Sequence, residues 1–132
     1  NLIVSQRLVS KLCEKCKKSE QAPAPVAEII KKELAKLPEA VKASLQTKAP
    51  FTIYRPVGCP VCKGKGVVGR IGLFEVLKMT KELAKIINAG PTETMILEEA
   101  IRQGMVTLRQ DGILKALEGT VGIDEILRET SE

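Results

Sequence analysis

Four cysteines, paired as Cys13/Cys16 and Cys59/Cys62 with Cys-x-x-Cys spacing, constrain this chain more than any other feature. A Cys-x-x-Cys turn aims two sulfurs at one point. Two such turns supply four thiolates, which satisfy a tetrahedral zinc ion and leave no position open. A closed site of this kind is structural, stapling a region with too little core of its own. Pro60 and the surrounding glycines favour a tight knuckle whose backbone N–H groups can face sulfur. Lys15, Lys17, Lys18, Lys63 and Lys65 favour the thiolate forms. The alternatives are a thioredoxin-like redox pair, two disulfides or unliganded thiols. Two pairs in a chain without histidine favour zinc over these.

The lack of histidine also limits chemistry. It removes the commonest general base and the commonest nitrogen ligand, and it rules out a Ser-His or Cys-His nucleophile within the chain. Gly58 to Gly66 superficially suggests a phosphate loop. However, five residues separate Gly58 from Gly64-Lys65 where four are needed, and Gly66 stands where Ser or Thr is required. Cys59-Pro60-Val61-Cys62-Lys63-Gly64-Lys65-Gly66 matches the cysteine-glycine unit of J-domain chaperones, but that family needs four units and one is present. Glu98-Glu99 and Asp124-Glu125 read as solvated helix faces and first-turn acids, and Arg109 and Asp111 as helix-surface charges. Arg70 stands out, since it lies between Gly69 and Gly72, where small neighbours admit a close backbone or ligand. Its local reading is an ion pair with Glu75 or a helix-end contact.

The spacing of apolar residues predicts an α+β fold. Strands are expected over 2–9, 51–54 and 67–77. Residues 17–25, polar and carrying Pro23 and Pro25, read as a linker. Val26, Ile29, Ile30, Leu34 and Leu37 place an amphipathic helix over 26–36, and Pro38 opens a short second one. From Thr80 the pattern is helical, with N-caps at Thr80, Thr92 and Thr107 and stops near Gly90, Gly104 and Gly119. Gln110 completes a capping box with Thr107, and a last helix covers 123–129. The expected organisation is a strand pair over 1–77 carrying an inserted zinc module at 13–62, then a helical subdomain over 78–132.

Charge is unevenly placed. Residues 1–70 carry 14 Lys and Arg against 5 Asp and Glu, and the remainder 7 against 11. The basic half suits an anionic surface or nucleic acid. A free-standing zinc module that binds nucleic acid is therefore the alternative function, made less favourable by only three aromatics, Phe51, Tyr54 and Phe74, for stacking on bases. No apolar run reaches membrane-spanning length. The chain starts at Asn1 in a strand-like pattern, and we expect a piece of a longer protein.

Three blocks together resemble the C-terminal part of the secretion ATPases, the hexameric motors of type II secretion, type IV pilus extension and competence. They are Gln6-Arg7-Leu8-Val9 leading to Cys13-x-x-Cys16-Lys17, then Tyr54-Arg55-Pro56-Val57-Gly58-Cys59-Pro60-x-Cys62-x-Gly64-x-Gly66, then Gly69-Arg70-Ile71-Gly72-x-x-Glu75. Arg102-Gln103-Gly104-Met105-x-Thr107-Leu108-x-x-Asp111-Gly112 is similar to the same family's closing helices. The resemblance implies two strands separated by a tetracysteine zinc insert, and a parent that binds ATP and Mg2+ through a phosphate loop upstream. It also implies that Arg70 comes near the nucleotide in the assembled motor. The partners implied are the upstream ATPase core, five further copies in a homo-hexamer and an inner-membrane platform protein, with a cytoplasmic location peripheral to that membrane.

Overall fold

The computed structural model describes residues 2–45 and 47–131. Asn1 and Glu132, the outermost residues of the two expected segments, lie outside that range. Among the described residues there are two two-stranded antiparallel sheets and six helices, an α+β arrangement.

The first sheet pairs β1 (Leu2–Leu12) with β4 (Val67–Lys78), both longer than the apolar pattern predicted. The register runs from Leu2 opposite Lys78 to Ser10 opposite Arg70, then shifts so that Leu12 faces Val67. Gly69 absorbs the extra residue at φ +78°, a left-handed conformation that a glycine adopts without strain. Alternation puts Val9 and Leu73 into the core, while Leu2, Val4, Leu8, Phe74 and Val76 lie exposed on the opposite face.

The second sheet pairs β2 (Lys18–Gln21) with β3 (Thr52–Arg55), with Lys18 opposite Arg55 and Gln21 opposite Thr52. The expected linker is therefore partly a strand. Lys-Ser-Glu-Gln contains no apolar residue, so periodicity could not reveal it. Its place is set by its partner, whose Ile53 is fully buried, and by Arg55, which pairs with Glu20 across the sheet.

Between these strands, α1 (Ala24–Ala35) starts after Pro23 with Pro25 in its first turn, and buries Ile30. The short α2 (Glu39–Ser44) follows Pro38. Thr80 and Thr92 cap α3 (Lys81–Asn88) and α4 (Glu93–Arg102) by accepting from Leu83 and Met95 N–H. The capping box of Thr107 and Gln110 opens α5 (Leu108–Leu117), and α6 (Ile123–Glu129) spans the predicted residues.

The main core joins Val9, Leu73, Ile30, Ile53, Ile113 and Ile126, so it draws on both sheets, α1, α5 and α6. Polar ties reinforce this packing. Arg7 pairs with Glu129 at 3.1 Å, and the Ser10 N–H donates to Glu125 at 3.1 Å, joining β1 to α6. Phe74 N–H donates to Asp111 at 3.0 Å, and Leu108 N–H donates to Glu75 at 2.8 Å, joining β4 to α5. Asp111 and Glu125 are thus bound to strand backbone rather than to water alone. Glu75 serves the start of α5 and not Arg70.

Arg109 likewise reaches Glu33 of α1 at 3.7 Å. Glu99 departs furthest from its expected solvated place. Its side chain is 3% exposed and accepts from Thr80 Oγ1 at 2.9 Å, Arg102 Nη2 at 2.9 Å and Gln103 Nε2 at 3.1 Å. Arg102 and then Gln103, with Thr80 helping against burial, hold this carboxyl down at about 2.

Candidate metal centre

The four cysteines meet at the end of the β1–β4 sheet. Cys13 follows β1 directly, and its N–H donates to Gly66 O at 2.9 Å, while Lys17 N–H closes the first turn onto Cys13 O at 3.0 Å. Beyond β3, Gly58 carries the chain into the second turn, where Lys63 N–H bonds Pro60 O and Gly64 N–H bonds Cys59 O. The first knuckle is thereby laid against the second through the same strand ends that pair Leu12 with Val67.

Sulfur separations identify what this arrangement fits. Cys13 and Cys59 are 3.8 Å apart, Cys16 and Cys62 3.8 Å, and Cys59 and Cys62 3.7 Å, and all four sulfurs lie within 4.8 Å of one another. A disulfide needs about 2.05 Å, so these are four free thiols. A tetrahedron with metal–sulfur bonds of about 2.3 Å has edges of about 3.8 Å. The residues present therefore fit a metal ion held by four sulfurs.

Backbone N–H groups face the sulfurs as the glycine pattern predicted. Gly58 N–H donates to Cys16 at 3.3 Å, and Cys59 and Gly66 N–H both donate to Cys62, at 3.2 and 3.1 Å. Such approach requires glycine. A Cβ on Gly66 would sit 2.6 Å from Pro56 Cβ, and one on Gly58 would sit 2.8 Å from Gly64 O.

The thiols differ in acidity. Burial works to raise Cys62, but the Cys59 and Gly66 N–H bonds and two neighbouring thiols outweigh it and bring the group to about 6. At Cys16 the Gly58 N–H bond acts to lower the pKa, while burial and the other three cysteines prevail and push it up to about 11. The two shifts run in opposite directions, as expected of neighbouring thiols that titrate together.

The lysines divide. Lys17 is committed elsewhere: it pairs with Glu14 at 2.8 Å, donates to Gly119 O at 2.9 Å and lies 5.3 Å from the Tyr54 ring centre. Lys15, Lys63 and Lys65 are exposed and have no ion pair among the described residues. Arg70 lies on β4 opposite Ser10, exposed and outside the cysteine cluster.

The carbonyls at the end of α5 are the part of the site that the sequence did not reveal. Gly119 O receives Lys17, and Thr120 O accepts from Leu12 N–H at 2.9 Å, so the helical half buttresses the first knuckle. The only sequence mark of this contact is Gly119, which reads as a helix stop.

The profile of the family described as type II/IV secretion system protein matches residues 1–128. The type IV pilus assembly ATPase PilB of Pseudomonas aeruginosa is 38% identical over 132 residues, all of this chain and 21% of the relative. The corresponding protein of Thermus thermophilus is 38% identical over 130 residues, 98% of this chain and 13% of the relative. The type II secretion system ATPase E of Vibrio cholerae is 34% identical over 130 residues, 98% of this chain and 23% of the relative. The chain thus spans less than a quarter of the length of each of these curated relatives. With a profile match over nearly all of its residues and relatives aligned end to end with it, this chain belongs to the type II/IV secretion system protein family.

Proposed function

We propose that this chain is the zinc-bearing C-terminal part of a pilus-assembly or type II secretion motor ATPase, structural and partner-docking in role and not catalytic by itself. The cluster of four sulfurs within 4.8 Å of one another, three of its separations at 3.7 to 3.8 Å, carries the reading. Cys13, Cys16, Cys59 and Cys62 hold one zinc ion, which supplies charge compensation and rigidity where two turns meet. The N–H donors of Gly58, Cys59 and Gly66 spread the negative charge of the centre over the backbone.

Nucleotide chemistry belongs to an upstream ATPase core that carries the phosphate loop, ATP and Mg2+. That core covers the apolar face of Leu2, Val4, Leu8, Phe74 and Val76, which lies exposed in this chain. Arg70, unpaired among the described residues, reaches the nucleotide in the assembled homo-hexamer. The zinc module docks an inner-membrane platform protein, which places the motor in the cytoplasm at the membrane periphery.

Metal analysis should give one zinc per chain and four thiols unreactive until a chelator is added. Cobalt substitution should give the absorption of a tetrahedral tetrathiolate, lost on Cys62→Ser. A metal-free protein or a readily cycling disulfide would sink this reading.

A further inference from the structure

We propose that Cys59 is the site at which the cysteine centre reacts with a hydroperoxide, and that Cys13 resolves the product as a Cys13–Cys59 disulfide. The proposal rests on the zinc reading, because the metal is what keeps all four sulfurs in the thiolate form.

Two properties rank the four sulfurs. The first is access. Cys13 and Cys62 are buried, whereas Cys16 and Cys59 are half-buried. The second is hydrogen bonding. An N–H that donates to a thiolate stabilises its charge and makes it a poorer nucleophile. Cys62 receives two such donors, from Cys59 and Gly66, and Cys16 receives one from Gly58. Among the described residues, the sulfurs of Cys59 and Cys13 contact only other sulfurs. Cys59 alone of the four is both reachable and free of N–H donors. Access beside a resolving thiol is the usual setting of an oxidant-reactive cysteine.

The resolving partner follows from the same ranking. Cys13 lies 3.8 Å from Cys59 and Cys62 lies 3.7 Å from it, so distance does not choose between them. Cys62 is engaged by its two N–H donors and Cys13 is not. A bond to Cys13 also joins residues 46 apart in the chain, against three for a bond to Cys62. The longer loop confines the unfolded chain more and favours the cross-turn product. The two turns are already held together by Cys13 N–H on Gly66 O and by the pairing of Leu12 with Val67.

The chemistry balances with the peroxide as the only oxidant. The Cys59 thiolate attacks one peroxide oxygen. The O–O bond breaks, hydroxide leaves and Cys59 becomes a sulfenic acid. The Cys13 thiolate then attacks the Cys59 sulfur, forming S–S and expelling a second hydroxide. Two thiolates lose two electrons and one hydroperoxide gains them. Cys16 and Cys62 remain, and two sulfurs no longer satisfy a tetrahedral zinc ion.

The test treats the full-length protein, assayed for zinc beforehand, with limiting hydrogen peroxide. A metal-sensitive dye follows zinc release, and dimedone captures sulfenic acid in a parallel sample. Free thiols are blocked before digestion, and peptides are mapped by mass spectrometry. Dimedone should mark Cys59. The first disulfide should be Cys13–Cys59, with one zinc lost per disulfide and Cys16 and Cys62 recovered as blocked thiols. A dithiol reductant with added zinc should restore the starting state. A zinc-loaded protein whose first product is Cys59–Cys62, Cys16–Cys62 or a mixture would overturn the proposal and leave the metal centre standing. So would a zinc-loaded protein that reacts only after denaturation. A protein isolated without zinc that still forms Cys13–Cys59 would overturn the metal reading and leave the pairing standing.

Discussion

At the scale of single residues, Glu99 shows how a surface-looking charge becomes structural. Its carboxyl, ordinarily near 4.5, lies at about 2 in the fold. A depressed carboxylate stabilises the folded state fully above its unfolded value and loses that contribution as pH falls through its folded value. Glu99→Gln should therefore lower the urea midpoint most at neutral pH, and the gap from the parent should close as pH falls from 4.5 toward 2. A gap independent of pH would show that the charge is not what matters. The sequence could not show this, because Glu98 and Glu99 are adjacent in the chain and only their helix faces separate them. Gly66 is the counterpart at the metal centre. Gly66→Ala forces the Cβ onto Pro56 and a side chain into φ +77°. It should cost more than about 1 kcal/mol and weaken zinc retention against a chelator.

At the scale of elements, the most legible parts were those whose instructions are local. The Thr107–Gln110 box set the start of α5, and α6 followed from a glycine stop and a compact apolar run. Thr107→Ala should lower stability by about 1 kcal/mol in a denaturant melt. The poorly legible parts were those defined by distant partners. Lys18–Gln21 is a strand only because β3 lies beside it, and Asp111 is a strand ligand only because α5 packs on β4. Gly112 shows the same dependence. Helix propensity alone favours Gly112→Ala by up to about 1 kcal/mol. Its Cβ would lie 2.7 Å from Cγ2 of Ile126, which is fully buried and has no room to move. Overpacking of this kind costs about 1–3 kcal/mol, so the substitution should be net destabilising in the same melt.

At the scale of the molecule, the gathering of the four cysteines was readable because two short spacings define the pairs, and the fold class because strands and helices occupy separate stretches of chain. What could not be read was that residues from the cysteine-bearing stretch and from the closing helices fill one core. Ile30 and Ile53 pack in the same cluster as Ile113 and Ile126. Chelation should therefore do more than loosen two turns. Calorimetry of the apo form should show one transition at a lower temperature. A separate early transition with the main one unmoved would mean that the cysteine region melts alone.

The hydrogen bond from Cys13 N–H to Gly66 O brings the two ends of a long excursion side by side. On connectivity alone, a descendant could run from Leu12 to Val67 through a tight hairpin and dispense with everything between. Packing makes that route narrow. Deleting 13–66 would strip Ala22, Ile30, Phe51 and Ile53 from α5 and α6 and leave Ile113, Ala116 and Ile123 facing water. A lineage that loses the excursion must rewrite those helices in the same passage, so its presence or absence should be legible in the closing helices even where the cysteines themselves are gone.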